Sequence, residues 1–240
     1  MTAPADQDSP QLRGMRLLSE IAGTERPAIL DALAPIAPDL GRYIVEFAYG
    51  EVYHRPGLSL ATRQLVTVAV LAALGTAGPQ FGFHVNGALN VGCDPHDILA
   101  SVLESAAPAG DAAVISGLTV TLDVFDARGI TSVSAAAGAP VVALAGAPEL
   151  GRRLADLGFG GRDLEARTRA LIGIAAHGVH GPATAQGRAQ VRELLASGGQ
   201  AQEAVEAAMQ IAVYAGFPAA INTITVIGQT LAASAAEPRA

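Results

Sequence analysis

Hydrophobic positions along this chain recur at helical spacing, and the breaks between them carry helix-start and helix-stop residues. From Pro38 to Tyr53, apolar Leu40, Ile44 and Phe47 follow a helical period that Gly57 ends. Arg63 to Leu74 is apolar on nearly every side, which predicts a buried central helix. A further helix opens at Pro79, a residue suited to a first helical position, and closes near Gly92. Asp94 as cap, Pro95 in the first turn and the stripe Ile98, Leu99, Val102 and Leu103 predict the next. Ala112 to Asp126 is rich enough in Val, Ile and Thr to read as a strand by propensity. Pro218 to Ala233, which stands opposite it in the repeat described next, opens with proline and outruns a typical strand, so both are expected to be helices. The expected class is all-α.

The same pattern occurs twice. Thr62-Arg63 to Gly110 falls on Thr168-Arg169 to Gly216 without a gap, with Ala69 on Ala175, Gly75 on Gly181, Val85 on Val191, Leu89 on Leu195 and Gly92 on Gly198. Upstream, Pro38, Leu40, Gly41, Arg42 and Gly50 fall on Pro148, Leu150, Gly151, Arg152 and Gly160 at a slightly larger shift, because Glu51 to Leu58 has only Gly161 to Leu164 opposite it. Duplication of a helical unit predicts two copies folded as a pair. The expected organisation is a first repeat over 11–127, a linker over 128–147, poor in charge and rich in Ala and Gly, and a second, divergent repeat over 148–234. Met1 to Pro10 and Ala235 to Ala240 read as mobile ends.

Composition narrows the chemistry. Half of the 240 residues are hydrophobic and tryptophan is absent, which favours close-packed helices. All 15 basic residues are arginine, so a Schiff-base lysine and a Walker-type phosphate lysine are excluded. A net charge of −7 without a basic run speaks against nucleic acid as partner. One cysteine, Cys93, excludes an intramolecular disulfide or a thiol-pair redox cycle. The N-terminal segment lacks the layout of a signal peptide, and the longest apolar run, Leu65 to Ala77, is too short to span a bilayer. A soluble cytoplasmic protein that engages no membrane is the expectation.

The copies differ most in their polar residues: His84 falls on Gln190, and Pro108 on Tyr214. One half is expected to keep chemistry that the other has lost. His84 has Gly87 and Ala88 one turn on, which leaves room beside the imidazole for a ligand, or equally suits a core histidine bonded across a helix interface. Glu46, Glu51, His54 and Arg55 cluster near a helix end, where an arginine would grip a carboxylate and a carboxylate or histidine would move protons; a solvated helix terminus gives the same pattern. Gln64 and Thr67 make a polar stripe on an apolar helix and need partners or a wet cavity. Arg63, matched by Arg169, reads as structural. His177 and His180 share a face but lack a third ligand, so no metal is expected. Cys93 beside a helix cap is either mildly activated or inert.

The segments YGEVYHRPGLSLATRQLVTVAVLAAL, HVNGALNVGCDPHDI and VYAGFPAAINT resemble the carboxymuconolactone decarboxylase family. Tyr49-Gly50-Glu51, Arg55 to Ser59, Arg63, His84-Val85 and Gly92 carry the likeness in the first half, and Tyr214, Gly216 and Pro218-Ala219 in the second. Gln64 stands where many relatives have Glu, and neither half alone holds a complete set. The resemblance implies two helical repeats packed as a pseudo-dimer, no organic cofactor or metal, and assembly of three chains into a homotrimer. It also implies a composite site: His84 as general acid or base, Glu51 orienting its imidazole, Arg55 gripping a carboxylate or enolate, and Tyr49, His54, Gln64, Thr67 and Tyr214 around the substrate. The expected function is a cofactor-free lyase, cyclase or isomerase acting on a bulky acidic or phenolic small molecule in natural-product assembly. The alternatives are γ-carboxymuconolactone decarboxylation in aromatic catabolism and a non-catalytic scaffold with a decayed site.

Overall fold

A computed structural model describes residues 9–75, 78–133, 147–161, 163–182 and 184–236. Among these residues every regular element is a helix, in keeping with the all-α expectation. The fold gathers into two compact units, Met1–Pro56 and Gly57–Ala240. Most of the linker expected at 128–147, and nearly all of both chain ends, lie outside the described residues.

In the first unit, α1 (Pro10–Ala22) follows Ser9, whose hydroxyl accepts from the Leu12 N–H. Its stripe of Leu18 and Ile21 is buried. The short α2 (Ala28–Leu33) and α3 (Pro38–Tyr43) lead into a π-helix, Ile44–Val52. Two glycines let α1 and the π-helix touch backbone to backbone: a Cβ on Gly14 would stand 2.1 Å from the Val45 carbonyl oxygen, and one on Gly50 2.2 Å from that of Pro10. The helix expected over Pro38 to Tyr53 is present as α3 continued by the π-helix. Val45, Ala48, Tyr49 and Val52 of the π-helix are buried, whereas its Phe47 and Leu40 of α3 are exposed.

The second unit is built around α4 (Leu60–Leu74), capped by Ser59, whose hydroxyl accepts from the Thr62 N–H at 3.1 Å. Every residue from Arg63 to Ala73 is buried, as an all-round apolar helix should be. Around it stand α5 (Gly78–Asn90), α6 (Pro95–Glu104), capped by Asp94, the single turn α7 (Ala106–Ala109) and α8 (Asp111–Ala127). The second-repeat helices are α9 (Pro148–Asp156), α10 (Ala166–His180), α11 (Ala185–Ala196), α12 (Ala201–Tyr214) and α13 (Phe217–Ala236). The stretches with strand-like composition are thus the helices α8 and α13.

Two apolar clusters fill this unit, and α4 belongs to both. Val68, Ala69, Leu71 and Ala72 pack toward α5, α6 and α8, whereas Val66 and Val70 pack toward α10, α12 and α13. α4 and α10, equivalent in the two repeats, lie against each other, and α4 also packs on α12 as α10 packs on α6. Residues of the first repeat therefore meet residues of the second across shared interfaces. α13 has the length and apolar composition to cross a membrane, yet it packs on α10, α11 and α12 and buries Val226 and Ile227 in their core.

Candidate functional site

Three helices bring polar side chains into the apolar interior of the second unit. α4 supplies Arg63, Gln64 and Thr67, α5 supplies His84, and α12 supplies Glu206, Gln210 and Tyr214. All but Tyr214, which is half-buried, are buried. Glu206, Gln210 and Tyr214 are spaced four apart, so they line one face of α12. Buried polar groups normally find partners, and most of this set does.

His84 is the centre. Its Nδ1 lies 3.0 Å from Gln64 Oε1, and its Nε2 lies 3.1 Å from the Tyr214 hydroxyl. A carboxamide oxygen can only accept, so the proton sits on Nδ1, and the Nε2 lone pair accepts from the Tyr214 O–H. Phe83 and Tyr214 each meet the imidazole edge to face, with centroids 5.1 Å away. Burial among these groups pushes the imidazole pKa down to about 3, because a charged ring would lose its hydration with no carboxylate opposite. His84 is therefore held neutral, in one tautomer, with its basic nitrogen toward a residue of the other repeat.

Two turns back along α12 from Tyr214, Glu206 accepts from Arg63 at 3.0 Å, and both side chains are fully buried. Gln202 donates to the other Glu206 oxygen at 2.6 Å. Between Glu206 and Tyr214 stands Gln210, fully buried, with neither amide atom hydrogen-bonded. The Gln64 nitrogen is likewise buried without a partner.

The structure thus brings together Gln64, His84 and Tyr214, and buries Thr67 one turn along α4 from Gln64. At Nδ1 the imidazole is oriented by Gln64. Tyr49, Glu51, His54 and Arg55 belong to the first unit. There Tyr49 is buried, Glu51 pairs with Arg13, and His54 Nδ1 lies 2.8 Å from the Tyr49 carbonyl oxygen. Glu46 pairs with Arg42 instead of joining them.

The remaining sequence candidates resolve simply. His180 Nε2 donates to the Ala73 carbonyl at 2.6 Å, and half-burial beside His180 lowers the pKa of His177. Cys93 is buried, and desolvation together with Asp97 pushes its thiol up to about 12, which removes the activated reading. It lies on a separate cleft of about 330 Å³ whose polar lining is Thr62, Asp94, Asp97, Glu165 and Thr168. Sequence reasoning missed Glu206 and Gln210 and took Arg63 as merely a helix-start residue. The signal was present in AVEAAMQIAVYAG, where polar residues four apart interrupt an otherwise apolar helix.

Comparison with known proteins agrees with the repeat. The model of the carboxymuconolactone decarboxylase family matches residues 38–123 and again 148–227. Over 119 residues the chain is 32% identical to the 4-carboxymuconolactone decarboxylase of Acinetobacter baylyi, covering 49% of this chain and 88% of that protein. Over 110 residues it is 30% identical to the nitrosuccinic acid decarboxylase of Metarhizium robertsii, covering 45% of this chain and 76% of that protein. Each relative aligns along most of its own length with about half of this chain, as a protein with a single repeat would.

Proposed function

The chain belongs to the carboxymuconolactone decarboxylase family, and from that membership we propose a cofactor-independent lyase-type enzyme in which His84 moves the proton. The substrate in this reading is a bulky acidic or phenolic small molecule, and the reaction a decarboxylation, cyclisation or isomerisation. That both relatives are named decarboxylases supports the lyase class. The observation that carries the reading is the buried relay Gln64–His84–Tyr214, assembled from both repeats.

Such a relay suits substrates that hold their own electron sink. When a carboxylate stands β or vinylogous to a carbonyl, the C–COO⁻ bond breaks, carbon dioxide leaves, and the bonding pair moves into the carbonyl as an enolate. The enolate carbon then takes a proton. In the ligand-free site His84 is a base, and Gln64 fixes its tautomer by accepting from Nδ1. Cyclisation or isomerisation by proton abstraction uses His84 in that form. In decarboxylation, negative charge developing beside the ring offsets the burial penalty on imidazolium, so His84 takes a proton from solvent water as the enolate forms, passes it to carbon and returns to its neutral form, with Tyr214 as the neighbouring O–H. Arg55 is proposed to grip a substrate carboxylate, and its own test is Arg55→Lys, which keeps the charge and loses the two-point fork.

A second reading, γ-carboxymuconolactone decarboxylation, is favoured by the Acinetobacter relative. The two are separated by incubating parent and His84→Ala protein with γ-carboxymuconolactone and with enolisable phenolic and polyketide-like acids, following carbon dioxide release and substrate absorbance. Turnover of the lactone by the parent alone supports the catabolic reaction, and turnover of the bulkier acids alone supports the first reading. Equal behaviour of parent and folded variant toward every compound contradicts both and leaves the scaffold alternative.

A soluble cytoplasmic homotrimer completes the proposal. Phe217, Ile221 and Ile224 form an exposed apolar stripe on α13, which supports self-association. Light scattering that gives a monomer at micromolar concentration would remove the trimer and leave the relay untouched.

A further inference from the structure

The relay and the ion pair close a circuit of side chains. From Gln64 it runs through His84 to Tyr214, back along α12 through Gln210 to Glu206, across to Arg63, and by one peptide bond to Gln64. Of the three carboxamides with buried unpartnered atoms among the described residues, Gln64 and Gln210 belong to this circuit and are fully buried, while the third, Gln190, lies over Gly173 in the second repeat. On α12, Gln210 stands between a residue bonded to α4 and one bonded to α5, so its amide faces the same layer. The Gln64 oxygen is taken by His84, which leaves the Gln64 N–H₂ as a donor.

An unmade hydrogen bond on a buried amide is destabilising, a cost that Leu or Met at position 210 would avoid. A ligand that enters the layer and accepts from these amides removes that cost. The layer also selects the charge of the ligand. His84 is neutral, and the only guanidinium in the circuit, Arg63, is bonded to Glu206. Neutral N–H donors in this net-neutral layer hold a carbonyl oxygen more strongly the more negative charge it carries, and so most strongly as the enolate.

We propose that Gln64 and Gln210 form a receptor for the substrate's carbonyl oxygen, their two amide nitrogens stabilising it as it becomes an enolate. Resting on the lyase reading above, this narrows the substrate class to enolisable carbonyl compounds whose carbonyl is conjugated with the reacting carbon. Gln210 is then a substrate-binding residue, and Gln64 both orients His84 and binds.

The probe is tetronic acid, an enolic lactone that is an enolate anion at neutral pH, with γ-butyrolactone as the uncharged comparison. Calorimetric titration of the parent should show tetronate bound and γ-butyrolactone bound more weakly. Gln210→Met should bind tetronate at least about tenfold less tightly, the loss of one hydrogen bond to a charged oxygen. Its unliganded melting temperature should equal or exceed that of the parent, because an unsatisfied buried amide has gone. Absence of tetronate binding by the parent, or equal affinity in Gln210→Met, overturns the receptor. So does a variant melting several degrees lower, since the amide would then have a structural partner. Tetronate binding involves no proton transfer, so a failed receptor beside His84-dependent turnover leaves the lyase reading standing. Intact tetronate binding with turnover unaffected by His84→Ala refutes His84 instead.

Discussion

The buried polar layer of α4, α5 and α12 has a counterpart in α10, α11 and α6, related to it by the repeat, and the two have diverged at nearly every polar position. Gln64 becomes Ala170, Thr67 becomes Gly173, His84 becomes Gln190, Glu206 becomes Ala100 and Tyr214 becomes Pro108. Arg169 keeps the place of Arg63 but has no Glu206 equivalent, and it turns instead to Glu193 at a partly exposed position. Gln190 lies over Gly173 so closely that a Cβ there would stand 2.5 Å from its amide oxygen. The second layer has been emptied of chemistry and closed by a side chain. The same backbone frame therefore tolerates either an extended polar interior or one closed over a single amide, Gln190, whose oxygen is also buried without a partner, and the extended polar set on one side alone is what function would require.

The largest expected contrast is in the arginines. Arg63→Leu strands Glu206 as a buried charge and should destabilise the fold by about 3–5 kcal/mol in urea unfolding. Arg169→Leu should cost no more than about 1 kcal/mol, as a partly exposed pair does. Similar losses for both would mean that the layers are not as different as their burial indicates.

Acid sharpens the comparison next. The folded pKa of His84, about 3, lies below the ordinary value of 6.5, so as pH falls below 6.5 the unfolded chain takes up that proton first. Stability contributed by neutral His84 is complete above pH 6.5 and is lost toward pH 3, with a slope of up to about 1.4 kcal/mol per pH unit. His177, also lowered, adds a limb of the same sign. His84→Gln, which copies the second layer, should flatten the acid side of a stability–pH curve. An unchanged slope would show that His84 titrates normally in the fold.

The smallest effect concerns the closed layer. Gly173→Ala forces the flexible Gln190 side chain aside and should cost about 1 kcal/mol, the low end for overpacking. Adding Gln190→Ala should recover most of that loss in the melting temperature. A large, unrecovered loss would mean that backbone, not Gln190, fills the space.

The repeat made much of this readable in advance. It exposed His84 and Tyr214 because each is missing from the opposite copy, and the interrupted apolar face of α4 marked Gln64 and Thr67. Gln210 escaped because its counterpart, Glu104, is also polar, so a comparison of losses passes over it. Glu104 lies within the electrostatic reach of Arg169, so that position is polar in both copies for different reasons. The π form was not legible because apolar spacing alone does not distinguish it from an α-helix, and its close approach to α1 at Gly14 and Gly50 is a tertiary feature. That Gln64 is the residue bonded to Nδ1 was not legible either, because sequence spacing carries no information on which side chain reaches the imidazole.

The most direct test of the central claim is a paired rate measurement on whichever acid the parent turns over, comparing His84→Ala with Gln190→Ala. A single working layer predicts a loss of about 10²–10⁴-fold for His84→Ala, the usual contribution of general acid–base catalysis, and near-parent rates for Gln190→Ala. Comparable losses in both variants, or none in either, would contradict it.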